Sequence, residues 1–264
     1  MSQNNYSYDT KSLKGALLAV GLKKGDIVFS HVGMGFLGYP SEGKGLDSMF
    51  KVICDAFFDV LGPEGTWLVP TYTYSFCRGE DYDVQNSPST VGLFTEKFRK
   101  LPGVQRSEEP IFSVAGMGLK AKELFSNLPD ECFGKDCIYD RLVKHGASIC
   151  NIGVGFRYAT FVHYVEQLAG VPYRFMKTFK GSIINNGAVR KNVSMHYYVR
   201  TGLDDQTTFP DLRRLEKEAR EAGKCKSHAV GRGEVTLIKC KDLLDLCVAG
   251  IKKDPWYLAK GQII

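Results

Sequence analysis

Ile149-Cys150-Asn151-Ile152-Gly153-Val154-Gly155 leads shortly into Thr160-Phe161-Val162-His163-Tyr164-Val165-Glu166-Gln167, and this passage decides the fold. A short apolar run punctuated by glycine reads as a buried strand ending in a tight turn. The segment after it reads as a helix, with Thr160 as a candidate N-cap and Gly170-Val171-Pro172 as a stop signal. Residues three apart lie on one helical face, so His163 and Glu166 are expected to be neighbours. An imidazole beside a carboxylate near the end of a buried strand is one way to build a general base; a surface pair is the plainer alternative.

Upstream, residues 8 to 22 read as a helix, and Ile27-Val28-Phe29-Ser30 as a short buried strand. The strand gives way to His31-Val32-Gly33-Met34-Gly35-Phe36-Leu37-Gly38 and then to a helix over 45 to 61. Strand, glycine loop and helix together aim backbone N–H groups at an anion, although turn chemistry alone also accounts for Gly33, Gly35 and Gly38. Thr66-Trp67-Leu68-Val69-Pro70 is a second strand, and Thr71-Tyr72-Thr73-Tyr74-Ser75 places hydroxyls at its end, where open α/β sheets bind ligands. Downstream, Asn185-Asn186-Gly187 joins two strands into a β-hairpin. A charged helix from Thr208 to Glu221, a strand at 233 to 238 and a helix over 241 to 252 follow. The fold class is α/β: a single three-layer α/β/α domain over residues 1–264, with a central mixed sheet and an added β-hairpin.

The 264 residues are 44% hydrophobic and 24% charged, as in a soluble protein with a sizeable core. No apolar run reaches the roughly 20 residues that span a bilayer, and Met1-Ser2-Gln3-Asn4-Asn5-Tyr6 does not resemble a secretory signal. The expected compartment is the cytoplasm. The eight cysteines form no C-x-x-C pair, so they read as small buried hydrophobes, Cys150 included, and no metal is expected. The net charge of +6 favours anionic partners. Lys and Arg are dispersed, which points away from nucleic acid and towards phosphorylated small molecules.

Four stretches in order resemble the aminoglycoside 3-N-acetyltransferase family of antibiotic N-acetyltransferases. They are Ser30-His31 with its glycine loop, Gly65 to Thr73, Leu101 to Ser113, and Gly153-Val154-Gly155 through Thr160, His163 and Glu166. Ala229, the strand at 235 to 238 and Asp254-Pro255 are similar too, whereas Glu109 stands where the family tends to carry His before the proline. The resemblance implies acetyl transfer from acetyl-CoA to the amino group of an amino sugar, without a metal. His163 and Glu166 would form the catalytic pair, and Thr71 or Thr73 would donate to the tetrahedral oxygen. CoA is expected at Ser30, His31, Val32, Gly33, Met34, Gly35 and Phe36, with Arg106, Ser107 and Ser113; Arg106 would grip phosphate. Tyr72, Tyr74, Arg157 and Tyr158 are expected to meet the acceptor.

Because the chain is net basic and Arg157 repels a polycation, the expected acceptor is a nucleotide-linked amino sugar of surface-polysaccharide synthesis. The alternative is an aminoglycoside antibiotic, as for a resistance enzyme. Two other classes stand beside these: a metal-dependent hydrolase using His163, Glu166, His31 and His196, and a non-catalytic binding relative. The expected partners are the amino sugar and CoA, with no nucleic acid and no membrane; a homodimer is compatible with the sequence.

Overall fold

The computed structural model describes residues 7–202 and 204–261, with the side chains of Phe156 and Arg157 outside the description. The chain opens with α1 (Thr10–Ala19), β1 (Ile27–Phe29), α2 (Met34–Leu37), α3 (Leu46–Leu61) and β2 (Thr66–Pro70). It continues through β3 (Tyr82–Asp83), α4 (Leu93–Phe98), β4 (Gln105–Arg106), β5 (Val114–Gly118), α5 (Ala121–Phe125) and α6 (Ile138–Lys144). Then come β6 (Ser148–Ile152), α7 (Phe161–Ala169), β7 (Arg174–Asn185) and β8 (Ala188–Arg200). The last elements are α8 (Arg213–Glu221), β9 (Lys226–Val230), β10 (Gly233–Lys239) and α9 (Cys240–Lys253).

Seven strands form one sheet in the order β4-β5-β2-β1-β6-β10-β9. Its three central strands, β2, β1 and β6, run parallel, and the flanking strands run antiparallel, so the sheet is mixed. Apolar residues alternate between its faces: Phe29, Leu68 and Ile149 enter one core, and Val28, Trp67 and Cys150 enter the other. The first core packs against α6, α7, α8 and α9, the second against α1, α3 and α4, which gives the three layers. Trp67 stacks on Phe57 of α3 with ring centroids 4.1 Å apart. Burial on both faces explains why these strands read as continuous apolar runs.

The hairpin pairs β7 with β8, and β3 adds to β7. Its turn holds Asn186 and Gly187 at φ 48° and 82°, the left-handed values a two-residue hairpin needs. The sequence reading differs from the structure at several places, among them α2, which forms within the expected glycine loop. Asp9, not Thr10, caps α1, through a reciprocal pair of bonds with Ser12. The charged helix starts at Arg213 and not at Thr208, because residues 206–208 form a separate turn capped by Asp205. The edge strand β9 was not expected, since four of its five residues are exposed and it lacks the alternation of a half-buried strand. Among the described residues no helix is long and apolar enough to cross a membrane.

The three parallel strands bring their carboxyl ends to one edge of the sheet. His31 lies two residues beyond β1, Tyr72 two beyond β2, and the segment into α7 follows β6.

Candidate active site

A cavity of about 430 Å³ opens at that edge, lined by His31, Val32, Gly33, Tyr72, Tyr74, Tyr158, Thr160 and His163 among others. His163 is supplied by α7, whose last turn stops at Gly170 in the left-handed conformation at φ 64°. Its side chain is 19% exposed, whereas Glu166 one turn on is 1% exposed. The His163 Nδ1 lies 2.6 Å from Glu166 Oε2 and 3.0 Å from an Arg174 Nη2. A carboxylate only accepts and a guanidinium only donates, so Nδ1 cannot serve both. The shorter contact assigns Nδ1–H to Glu166 and leaves the Nε2 lone pair free. In that arrangement the imidazole is a proton acceptor.

The surroundings keep this ring neutral. Burial lowers the His163 pKa first and the Arg174 charge lowers it further, against the opposing pull of Glu166. Burial alone would raise the Glu166 carboxyl, but His163, Arg174 and a 2.9 Å hydrogen bond from the Tyr173 hydroxyl together bring it below its ordinary value. Arg174 Nε sits 2.8 Å from Glu166 Oε2 as a charge pair, out of line for a hydrogen bond. The carboxylate therefore stays ionised while the imidazole beside it stays uncharged.

A second imidazole lines the same cavity. His31 Nδ1 is 3.1 Å from Asn151 Oδ1, and Asn151 Nδ2 donates to the Gly155 carbonyl at 2.6 Å, which fixes the amide orientation. Nδ1 therefore carries the proton, and Nε2 accepts from the Thr160 hydroxyl at 3.2 Å. Burial takes the His31 pKa down to about 4, only partly offset by Asn151. Because Thr160 gives its hydroxyl to His31, it caps α7 by position and not through a side-chain bond.

Within the first motif, His31, Val32 and Gly33 line the cavity, Ser30 and Met34 are buried beneath it, and Gly35 and Phe36 face outward. A Cβ on Gly33 would fall 2.4 Å from Val154 and 2.6 Å from Phe36, so close packing demands glycine there. Tyr74 lines the wall at φ 54°, a left-handed backbone that tyrosine rarely adopts.

Other expected residues have different work. Thr71 donates both its N–H and its hydroxyl to the Ser113 carbonyl, at 2.8 and 3.1 Å. Thr73 donates its N–H to the Ile111 carbonyl and its hydroxyl to that of Pro110, at 3.2 and 2.7 Å. With every donor used, neither threonine offers one to a tetrahedral oxygen, which corrects the expectation for both. Arg106 holds the carbonyls of Thr71, Val84 and Ser87 and lies over the Tyr82 ring, so it is a loop brace and not a phosphate grip. Ser113 donates to the Thr71 carbonyl and Ser107 accepts from the Val114 N–H; both are buried away from the cavity. Tyr72 and Tyr74 line the cavity, as does exposed Tyr158, whereas Arg157 falls on a side chain outside the description.

The sequence reading missed three partners: Arg174, Thr160 as the hydroxyl on His31, and Asn151. Glu109 takes hydrogen bonds from the Ile111 and Phe112 N–H groups and from the Cys132 thiol, and so holds the loop that receives Thr73. Its burial raises the carboxyl pKa to about 7. The four residues of the hydrolase alternative are not gathered: His196 sits on the hairpin beside Asp130 and Thr178. Among the described residues no group of three or more His, Cys, Asp or Glu side chains is placed to hold a metal ion. Cys150 is fully buried and burial pushes its thiol pKa up, which makes it a core residue.

Comparison with known proteins gives this geometry a family. The model of the aminoglycoside 3-N-acetyltransferase family matches residues 31–252. Aminoglycoside N(3)-acetyltransferase IX of Micromonospora chalcea is 30% identical over 195 residues, covering 66% of this chain and 67% of the relative. Among solved structures, sisomicin-bound AAC-VIa superposes with a TM-score of 0.79 at 21% identity, covering 94% of this chain and 98% of its own. AAC-IIIb in binary complex with CoASH superposes with a TM-score of 0.76 at 20% identity, covering 97% and 99%. At these identities the superpositions speak for the fold.

Proposed function

The chain belongs to the aminoglycoside 3-N-acetyltransferase family and is an acetyl-CoA-dependent N-acetyltransferase, and from that premise we propose that its acceptor is an aminoglycoside. The observation that carries the proposal is the His163–Glu166 pair, with His163 on the cavity wall and its Nδ1 held by buried Glu166, which leaves the Nε2 lone pair free to take a proton. A protonated amine cannot attack a thioester, so the ammonium first gives one proton to solvent; as the neutral amine attacks, His163 takes a second proton from the nitrogen, and Glu166 holds the resulting imidazolium. The nitrogen forms a bond to the acetyl carbon, the carbon–sulfur bond breaks, and the proton held by His163 goes to the departing thiolate. No covalent acyl-enzyme is needed.

The lining suits a cationic sugar. Among the described residues no Arg, Lys, Asp or Glu lines the cavity, and Tyr72, Tyr74 and Tyr158 offer aromatic faces to an ammonium group or a sugar ring. The family match and the aminoglycoside acetyltransferases among the relatives support the aminoglycoside over the nucleotide-linked acceptor expected from Arg157. His31, Val32 and Gly33, which line the cavity just beyond β1, are the residues we assign to the acetyl donor. Thiol release from acetyl-CoA across a panel of gentamicin-like and nucleotide-linked amino sugars tests the acceptor. Turnover of the first group and not the second is expected; the reverse pattern overturns the proposal.

A further inference from the structure

With Thr71 and Thr73 committed to the facing loop, the transfer reaction lacks a hydroxyl to receive the charge that gathers on the carbonyl oxygen. The residue between them supplies one. Successive residues of an extended chain point to opposite sides, so Tyr72 lies on the same face as Leu68 and α7 while its neighbours turn to the loop.

The Tyr72 and Tyr139 hydroxyl oxygens are 2.7 Å apart. Tyr139 is 1% exposed and lies outside the cavity lining, and among the described residues Tyr72 is its hydroxyl's hydrogen-bond partner. A buried O–H needs an acceptor, so the Tyr139 hydrogen goes to the Tyr72 oxygen. The Tyr72 hydrogen is then left for the cavity, and the bond it receives polarises it as a donor. Across from it stands Thr160, whose own hydrogen is committed to His31 Nε2, so the threonine oxygen accepts the Tyr72 hydrogen until a substrate carbonyl takes its place. Burial raises the pKa of both phenols, which keeps them protonated.

We propose that Tyr72 is a catalytic residue of the acetyl transfer: its phenolic O–H, freed by Tyr139, donates to the thioester carbonyl oxygen as negative charge develops there. The hydrogen bond is given and returned with no net proton transfer; the amine proton still travels through His163 to the thiolate. The proposal rests on the acetyl-transfer reaction and is independent of which amino sugar accepts.

Removing an oxyanion donor lowers kcat by about 10²–10³-fold in other enzymes. Tyr72→Phe is expected to lower kcat by about 100-fold with the acetyl-CoA KM changed less than about threefold. Tyr139→Phe is expected to cost a smaller factor, and none on the Tyr72→Phe background, because the two act through one hydrogen bond. The double variant also leaves no orphaned hydroxyl, so it carries the test where the single variant folds poorly. A ketone analogue of acetyl-CoA, labelled with carbon-13 at the carbonyl, reads the contact without turnover: its resonance should shift downfield in wild-type protein and less in Tyr72→Phe. Unchanged kcat, additive losses, or the same resonance in both proteins would overturn the proposal. A wild-type protein inactive towards every amino sugar would instead count against the transfer reaction, since the resonance still reports the bond.

Discussion

On one wall of the cavity, His163 and Glu166 meet because both stand on a single nine-residue helix. On the facing wall, residues 71 to 74 are held by carbonyls of Pro110, Ile111 and Ser113, some forty residues further along the chain. The first wall is local in sequence, and its chemistry is set by what surrounds it. The second is assembled from distant segments, and most of its polar groups serve the assembly. The difference separates residues that act from residues that hold.

The sharpest way to break this contrast is His163→Ala. If the helix wall supplies the base, kcat/KM falls by about 10²–10⁴-fold while acetyl-CoA binding by calorimetry is kept. A loss below tenfold would place the base elsewhere.

Arg174→Met probes the setting of that base. His163 is faced by Glu166 from its own helix, by Arg174 from β7, by Arg200 from β8 and by the Phe133 ring, with Tyr173 on the far side of Glu166. The imidazole must be neutral to accept a proton, and its lowered pKa keeps it so at a pH below the ordinary histidine range, with activity lost as pH falls through the lowered pKa. Without the arginine, Glu166 favours the imidazolium, so the acid limb of the kcat/KM profile should move to higher pH, with a loss of activity of up to about tenfold on that limb. Arg174→Lys keeps the charge and should move the limb much less. A limb that stays in place in the methionine variant would remove Arg174 from the account.

The smallest effect is expected from the holding wall. Thr73→Val removes the hydroxyl's bond to the Pro110 carbonyl and the weaker one it accepts from the Ser75 N–H, and should lower unfolding stability by about 1 kcal/mol in denaturant titration, with kcat within twofold. A tenfold fall in kcat at unchanged stability would return Thr73 to the chemistry.

The same contrast decides what could be read from the sequence. Helical spacing is a local rule, so the nearness of His163 and Glu166 and the glycine stop at 170 were legible without coordinates. The layered sheet was legible too, because strands buried on both faces leave continuous apolar runs and the Asn186-Gly187 turn marks the hairpin. The strand end after Pro70 borders the cavity, but which side each residue takes depends on what lies opposite. Hydroxyls at 71 and 73 look like donors until Ser113 and Pro110 arrive to use them. Arg106 has the same history: a lone arginine near a predicted ligand site suggests phosphate, and only the fold reveals three carbonyls around it. Arg174 and Asn151 were passed over because each gains meaning from a side chain more than ten residues away.

Tyr74 joins the two walls' logic in one residue. Its left-handed backbone would suit glycine or asparagine better, yet its ring is part of the cavity surface. Selection for heat resistance alone would relax this position and erase the ring, while selection on the pocket's shape would keep both ring and strain. The neighbourhood of residue 74 is thus where durability and ligand choice pull the sequence in opposite directions.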